Sequence, residues 1–553
     1  MTHSTLAVDN RSAVLDSAHV GDIRGAFGTI KHGDTEARTG LSAKMKTLLA
    51  VVGPGLIVMC GDNDAGAFST YGQSGQDYGT SLLWVLLLLV PVLYVNQEMV
   101  VRLGAVTGVG HGKLILERFG RFWGAFSVID LFLLNALTVV TEFIGITLAA
   151  GYLGLPKVPA VIGAGLVVFA AASTGSFRRF ERVVLTLCVG SLLLIPVAFM
   201  LHPPVGQMAR GFALPSMPGG SQLSTVMLLI IGLVGTTVAP WQLFFQQSYV
   251  IDKRITTRFL KYEKADLWIG IVVVVIGAAA IIGFSSAAFA GTAGAGNFTD
   301  AQGLAAGIAA KAGHVAGVLF AIALLDASII GAFAVSLSTA YAIGDTFGIN
   351  HSLHRGVKQA KGFYGVYGGL IAIAATIVLI PGSPLGLITN GVQAMAGVLL
   401  PSASVFLLLL CNDREVLGPW VNGRKTNMFT SAVLGVLVTL SVILTSSVLF
   451  PNISAQQIID IMVVCGLGGL AAAGYSLLRR KPAGAAGAAG ADDEFAGLTA
   501  DEVENWRMPP LVELGKIELS TVRKIGMSAL RLYLAVAAAL IVVKIVELAL
   551  AQH

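Results

Sequence analysis

Residues 53–72 read GPGLIVMCGDNDAGAFSTYG and decide the fold of the chain. Two carboxylates, Asp62 and Asp64, lie in the middle of this otherwise apolar stretch, together with several glycines. A continuous helix of this composition would be unstable against lipid, because glycine weakens helices and lipid satisfies no polar group. We therefore expect the helix to unwind beside a water-filled cavity, where backbone carbonyls and a carboxylate bind a cation. The alternative is a continuous polar helix in the core of a helix bundle.

A second stretch, GLVGTTVAPWQLFFQQS at residues 232–248, is interrupted by a proline. Pro240 lacks an amide donor and clashes with the preceding turn, and Thr236 and Thr237 can bond to the freed carbonyls. Taken alone, such a proline is more typical of a simple kink. The two stretches, however, fall in the first and sixth predicted spans, which are corresponding members of two five-helix halves. Broken helices at matching positions indicate a transporter with inverted repeats and a site at the middle of the membrane.

The composition indicates a protein that faces lipid over much of its surface. Of the 553 residues, 55% are hydrophobic and 12% are charged, and the mean hydropathy is +0.79, whereas soluble domains contain about 25% charged residues. The sequence has no phosphate-binding loop, no catalytic-triad spacing and no histidine pair on a span, so it indicates neither an enzyme nor an ATP-driven pump. We expect no cofactor, no nucleic-acid partner and no obligate protein partner; the expected partners are a divalent metal ion, as substrate, and membrane lipid.

Thirteen stretches are apolar enough to cross a bilayer, which takes about 20 residues. They are 46–72, 80–102, 123–152, 156–173, 183–201, 223–250, 266–291, 312–345, 364–381, 386–411, 428–450, 456–478 and 527–550. They divide the chain into a disordered cytoplasmic N-terminus (1–45), a transporter core of spans one to six (46–250) and seven to ten (251–411), accessory spans (412–478), a cytoplasmic linker (479–526) and a final span with the C-terminus (527–553). The linker is expected to form a short helix on the membrane face.

Lysine and arginine predict the orientation in the membrane. They concentrate in alternate loops, around residues 113–121, 178–182, 253–264, 355–361, 414–425 and 479–481, whereas the opposite loops hold almost none. Because positively charged loops remain in the cytoplasm, we expect a multi-pass protein of the cell inner membrane with a cytoplasmic N-terminus.

The motifs in these spans resemble those of the natural-resistance-associated macrophage protein (NRAMP) family of divalent metal transporters, and most closely those of its magnesium-transporting relatives. The likeness covers roughly residues 50–450 and rests on Gly53-Pro54-Gly55, Asp64-Ala65-Gly66-Ala67, Leu82-Leu83-Trp84-Val85, Arg102-Leu103-Gly104, Glu142-Phe143-Ile144-Gly145, Ala239-Pro240-Trp241-Gln242-Leu243-Phe244 and Gln393 ahead of Leu400-Pro401. The resemblance implies an all-α membrane protein with a LeuT-like 5+5 inverted repeat, broken helices 1 and 6 and additional C-terminal spans, about 11–13 transmembrane helices in all.

Two departures from the family pattern bear on the metal. Where the family places an asparagine and a methionine ligand, this chain has Ala67 and Ala239. A thioether favours soft metals, and its loss together with the amide leaves a roomier site. Mg²⁺ keeps several waters and contacts one or two carboxylates, so the pattern favours a largely hydrated Mg²⁺, with Mn²⁺ as a second substrate.

The resemblance assigns roles to individual residues. Asp64 supplies the main negative charge, Gly61 a backbone carbonyl, and Thr236 a carbonyl or a hydroxyl. Gln242 and Gln393 would hydrogen-bond metal-bound water. Asp62, Asn63 and Glu142 are candidates for an outer layer of contacts or for the vestibule.

The residues that the family uses for proton coupling are also replaced. The matching positions hold Val139, Trp241 and Gln246, and span nine has no arginine. Tryptophan and glutamine do not titrate near neutral pH as histidine does, and an isolated Glu142 would stay protonated. We therefore expect uptake by alternating access without proton coupling.

The sequence leaves open the roles of two other intramembrane acids and two alternative functions. Glu98 and Arg102 are spaced as an i,i+4 ion pair, whereas Asp326 either bonds the backbone or Ser328 or lines the ion path. The alternative functions are a proton-coupled Mn²⁺/Fe²⁺ importer and an amino-acid transporter on the same scaffold; in the latter, Asp64 would repel the substrate carboxylate.

Overall fold

The computed structural model describes residues 17–219, 223–381, 385–450, 453–478 and 497–515, with residue 495 and isolated positions between 517 and 543. These residues are almost entirely helical. The helices are α1 (Leu41–Val51), α2 (Pro54–Asp62), α3 (Ala65–Tyr78), α4 (Leu83–Thr107), α5 (His111–Phe119), α6 (Arg121–Tyr152), α7 (Lys157–Ala172), α8 (Phe177–Cys188), α9 (Leu194–Leu201), α10 (Val205–Ala213), α11 (Leu223–Thr237), α12 (Pro240–Asp252), α13 (Leu260–Phe289), α14 (Ala301–Ala312), α15 (His314–Phe347), α16 (Lys361–Val378), α17 (Leu385–Leu410), α18 (Arg414–Leu417), α19 (Arg424–Leu449), α20 (Ala455–Leu478) and α21 (Ala500–Asn505). Short 3-10 turns occur at Ser17–His19, Val189–Leu193, Thr257–Phe259, Gly418–Trp420 and Leu511–Glu513.

The predicted spans correspond to helices in the structure. Within the described ranges, nine helices are long and apolar enough to cross a membrane, and α1 with α2 forms a further candidate that is bent by 54°. Two shorter apolar helices, Lys157–Ala172 and Gln456–Ala471, match the predicted fourth and twelfth spans. The predicted thirteenth span, 527–550, lies mostly outside the described residues. The all-α membrane fold is therefore confirmed.

Both predicted helix breaks are present. The first separates α2 from α3 at Asn63 and Asp64, and the extended backbone of Asp64 begins the next helix. The second separates α11 from α12 at 238–239, where Ala239 is extended (φ −91°, ψ 145°) and Pro240 occupies the first position of α12. Proline is well suited there, because the first helical amide has no intrahelical acceptor. Asp64 and Pro240 therefore favour the start of a new helix at each break.

The N-terminal segment differs from the expected disorder over residues 17–45. Ile23–Arg24 pairs antiparallel with Thr29–Ile30 in a small hairpin, and α1 begins at Leu41. Arg178 donates to the carbonyls of Gly25 and Gly28 at 3.0 and 3.1 Å. These bonds from the first turn of α8 satisfy backbone acceptors that would otherwise need water and help to attach the segment to the bundle.

The linker after α20 contains the predicted short helix. Helix α21 begins with a capping box between Thr499 and Glu502. The Trp420 indole donates to the Val503 carbonyl at 2.9 Å, and Arg258 pairs with Glu504 at 3.2 Å. The linker helix is therefore attached to the same side of the bundle as the loop that precedes α13.

Candidate functional site

The two helix breaks lie against each other inside the bundle. The Gln242 side chain, in the first turn of α12, donates to the Asp62 carboxylate and, at 3.4 Å, to the Thr237 carbonyl. The Tyr71 hydroxyl of α3 lies 2.8 Å from the Thr237 hydroxyl. These contacts join α2, α3, α11 and α12 at one point, which is the candidate site.

The ends of two helices contribute negative potential to this point. Helices α2 and α11 both end at the breaks, so their last carbonyls, including those of Gly61 and Thr236, lack partners within their own helices. The carboxyl-terminal end of a helix carries partial negative charge and favours cations. The Thr236 hydroxyl is buried, and within the described part of the chain it has no hydrogen-bond partner.

Asp64 is a buried carboxylate held in place at the start of α3. Its Oδ1 accepts from the Ala67 amide at 2.9 Å and thereby caps α3, and the residue is only 3% exposed. The Ala67 side chain beside it is fully buried. Asp64 therefore projects its charge from a fixed backbone position rather than from a flexible loop.

Glu142 of α6 lies directly beside Asp64. Its Oε2 accepts from the Ala65 amide at 3.2 Å, and its other carboxyl oxygen is buried without a hydrogen-bond partner among the described residues. Two carboxylates this close would repel each other unless a proton or a cation lay between them. A side chain at Gly331 of α15 would run into both of them. The outer-layer role that the sequence suggests for Glu142 is thus a direct contact with the main acid.

Asp62 belongs to the site, whereas Asn63 does not. One Asp62 oxygen accepts from Gln242, and the other has no hydrogen-bond partner among the described residues. Asn63 turns to α13, where its amide donates to the Val274 carbonyl at 3.4 Å. Asp62 and Asp64 thus flank the first break, Glu142 lies beside Asp64, and no lysine or arginine of the described ranges forms an ion pair with any of the three.

The two glutamines take different positions. Gln242 is oriented by Gln97 of α4, whose side-chain amide donates to the side-chain oxygen of Gln242 at 2.8 Å. Gln393 of α17 lies so close to Gly66 that a Cβ there would overlap its amide group. The Gln393 nitrogen is buried and has no hydrogen-bond partner within the described chain, so it remains able to donate to a ligand.

Gln97 was not among the sequence-predicted residues. The signal for it is the polar pair Asn96-Gln97 in the otherwise apolar second span, where intramembrane polar groups are costly unless they are used. Tyr71 was missed for a different reason, because a tyrosine in an apolar span is usually part of the core.

The substituted positions surround the site with small or apolar groups. Ala239 is 4% exposed and lies at the second break. Trp241 is buried and makes an edge-to-face contact with the Phe245 ring. A side chain at Gly61 would contact the Trp241 ring. The Trp241 carbonyl accepts from Ser338 at 2.8 Å. The described residues include no group of three or more His, Cys, Asp or Glu side chains arranged to hold a metal ion.

The other intramembrane acids lie away from the breaks. Glu98 and Arg102 form the predicted i,i+4 pair at 3.1 Å. Asp326 lies against Gly190 of the 3-10 turn between α8 and α9. Ser328, one of its predicted partners, donates instead to the Leu324 carbonyl at 2.6 Å.

Known proteins are similar to this chain in sequence or in fold. The family model described as Natural resistance-associated macrophage protein-like matches residues 55–447, which include both breaks and every candidate site residue. The Divalent metal cation transporter MntH of Pectobacterium carotovorum subsp. carotovorum is 26% identical over 435 residues, covering 74% of this chain and 96% of that protein. The MntH of Ralstonia nicotianae is 28% identical over 408 residues, covering 71% and 89%.

A solved structure is similar in fold. A histidine-to-alanine variant of the Eremococcus coleocola manganese transporter aligns with a TM-score of 0.62 at 21% identity, covering 82% of this chain and 96% of that chain. This likeness is a likeness of fold.

Proposed function

Because the chain belongs to the natural resistance-associated macrophage protein-like (NRAMP) family, we propose that it transports a divalent metal ion across the membrane and that its preferred ion is Mg²⁺ carried with most of its water. Members of this family are transporters and not enzymes. Mn²⁺ is the proposed second substrate, in line with the names of the similar proteins. We place the chain in a cell inner membrane with its N-terminus in the cytoplasm.

The observation that carries this proposal is the set of groups around Asp64. Asp62 and Asp64 lie at the first break and Glu142 lies beside Asp64, while the side chains of Ala67 and Ala239, at the two breaks, carry no atom that could bind a metal. The remaining polar groups are the neutral amides of Gln242 and Gln393. Such amides suit the water of a hydrated ion, and Mg²⁺ retains its water more firmly than other divalent ions of biology.

The proposed transport is driven by the ion gradient and the membrane potential. An inside-negative potential of 100 mV favours entry of a divalent cation by about 4.6 kcal/mol, twice the value for one charge. In this mechanism Asp64 holds the ion electrostatically through water, the carbonyls of Gly61 and Thr236 add partial negative charge, and alternating access releases the ion. No group that titrates near neutral pH need change its charge.

One observation favours a second candidate, a proton-coupled Mn²⁺ importer. Glu142 lies beside Asp64, so the two carboxylates would repel each other unless one of them held a proton, and a cation bound at Asp64 would compete with that proton. If the proton left towards the cytoplasm, metal and proton movements would be linked. The two candidates differ in one measurable quantity, the proton flux that accompanies metal entry.

Uptake into proteoliposomes distinguishes the candidates. The purified chain is reconstituted with a pH dye inside, an inside-negative potential is imposed, and Mg²⁺, Mn²⁺, Ca²⁺ and Cd²⁺ are added separately. We expect Mg²⁺ and Mn²⁺ to enter without a change in the dye signal. Acidification that follows metal entry would establish the proton-coupled alternative, and the absence of any metal entry would refute transport.

Restoring the missing soft ligand should change the metal preference. In Ala239→Met, a thioether is placed at the second break, so competition of Cd²⁺ with Mn²⁺ uptake should strengthen by about tenfold, which corresponds to about 1.4 kcal/mol. The matched control is Ala239→Leu, which adds similar volume without sulfur. If both variants respond alike to Cd²⁺, volume rather than ligand chemistry determines selectivity, and the proposed reason for the Mg²⁺ preference is wrong.

A further inference from the structure

A cavity of about 310 Å³ opens where α13 begins, on the side of the bundle that carries the charged loops. It lies between the first turns of α13, Trp420 and the linker helix α21. Arg258, Lys261 and Lys264 line it together with Glu504. It is separate from the helix breaks, and the transport mechanism uses none of its residues.

The cavity has more positive than negative groups. Arg258 pairs with Glu504 at 3.2 Å, and Lys264 pairs with Glu98 at 2.9 Å. Glu98 is in addition shared with Arg102. Lys261 is exposed, and no ion pair to it is found within the described residues. An anion entering the cavity would therefore meet Lys261, which has no ion-pair partner among the described residues, and the partly neutralised Arg258 and Lys264.

The basic rim continues into a lipid-facing stripe on the same helix. Side chains three or four positions apart on a helix share a face, and this face runs from Lys261 and Lys264 to Trp268, Val272 and Ile276. The last three are 44%, 52% and 62% exposed. Trp268 also stacks on Tyr94 at 4.8 Å between ring centroids. Basic, then aromatic, then aliphatic groups along a spanning helix match the boundary between lipid headgroups and acyl chains.

We propose that this surface binds an anionic phospholipid, with its phosphate in the cavity at Lys261 and Arg258 and its acyl chains along Trp268, Val272 and Ile276. Clusters of lysine and arginine at the cytoplasmic end of a spanning helix attract acidic headgroups. A soluble phosphate compound would use only the cavity, whereas the continuous apolar stripe fits the chains of a lipid. The linker helix, held to Arg258 by Glu504, forms one wall of the site.

The test is binding of dioctanoyl-phosphatidylglycerol to the purified full-length chain in detergent, compared with dioctanoyl-phosphatidylcholine and with the soluble headgroup glycerophosphoglycerol. We expect the anionic lipid to bind more tightly than the other two. Lys261→Gln should weaken that binding about five-fold, the effect of one lysine near an acidic headgroup, and Lys261→Arg should retain it. Lys261 makes no ion pair with a described residue, so folding should be unaffected.

The matched control is Lys361→Gln, which removes an exposed lysine at the start of another spanning helix, α16. It should leave binding unchanged. Equal loss in both variants would mean that general surface charge attracts the lipid, and equal binding of glycerophosphoglycerol would mean that the site takes a soluble anion. Either result, or unchanged binding in Lys261→Gln, overturns the proposal.

Discussion

Asp64→Asn will lose most divalent-metal uptake while the protein remains folded. Asparagine caps a helix as well as aspartate does, so the hydrogen bond to the Ala67 amide that begins α3 can persist. What the substitution removes is the negative charge at a buried break. A charge-assisted contact contributes about 1.5–3 kcal/mol, so the apparent affinity for Mg²⁺ should fall by about 10- to 150-fold.

The measurement is the concentration dependence of Mg²⁺ and Mn²⁺ uptake into proteoliposomes, with the thermal unfolding midpoint of each variant as a check on folding. The matched control is Asp77→Asn in the same helix. Asp77 lies away from the breaks and accepts from the Gln73 side chain at 3.2 Å and from the Phe298 amide at 3.1 Å. The Asp77→Asn variant should therefore retain uptake. If Asp64→Asn transports with unchanged affinity, the cation binds elsewhere and the proposed site is wrong.

The breaks could be predicted from sequence because their causes are local. Asp64 suits the capping position before a new helix, and Pro240 suits the first position within one. A continuous span facing lipid would be destabilised by either residue. Hydrophobic length located the other spans for a similar reason, since each needs only its own residues to cross the bilayer. The positions of the two breaks, in the first and sixth spans, then indicated how the two halves correspond.

Contacts between distant spans could not be predicted in this way. Gln242 meets Asp62 across 180 positions of the chain, and Glu142 meets the Ala65 amide across 77. No spacing rule relates such residues, so Asp62 and Glu142 remained in an undecided outer layer and Gln97 was missed. The order of residues 17–45 was likewise hidden, because it depends on bonds from Arg178 more than 150 positions away.

A second large effect is expected at the buried ion pair between the end of α12 and α8. Lys253, at the end of α12, lies 2.6 Å from Glu181 of α8, and both side chains are fully buried. Lys253 also donates to the Val52 carbonyl at 2.7 Å, and the nearby Asp266 of α13 accepts from the Gly53 and Gly55 amides at 3.1 and 2.7 Å. One network therefore fixes the start of α2 and the end of α12, which are the outer ends of the two broken spans.

Lys253→Met should lower the free energy of unfolding by about 3–5 kcal/mol, because it leaves the Glu181 charge buried without its partner. Lys113→Met is the control, since Lys113 pairs with Glu117 at a similar distance, 2.8 Å, but on the surface, where such a pair contributes less than about 1 kcal/mol. Reversible denaturation in mixed micelles measures both losses.

The double variant Glu181→Leu/Lys253→Met separates the loss of the ion pair from the loss of the other interactions that Lys253 makes. With both charges removed, part of the lost stability should return, because replacing a buried pair by apolar groups is often neutral. Recovery will be incomplete, since the Ala26 amide loses its acceptor on Glu181 and an unsatisfied amide costs about 1–3 kcal/mol. A double variant as unstable as Lys253→Met would show that Lys253 acts through Val52 and Asp266 instead, and that the ends of the broken helices depend on those bonds rather than on the ion pair.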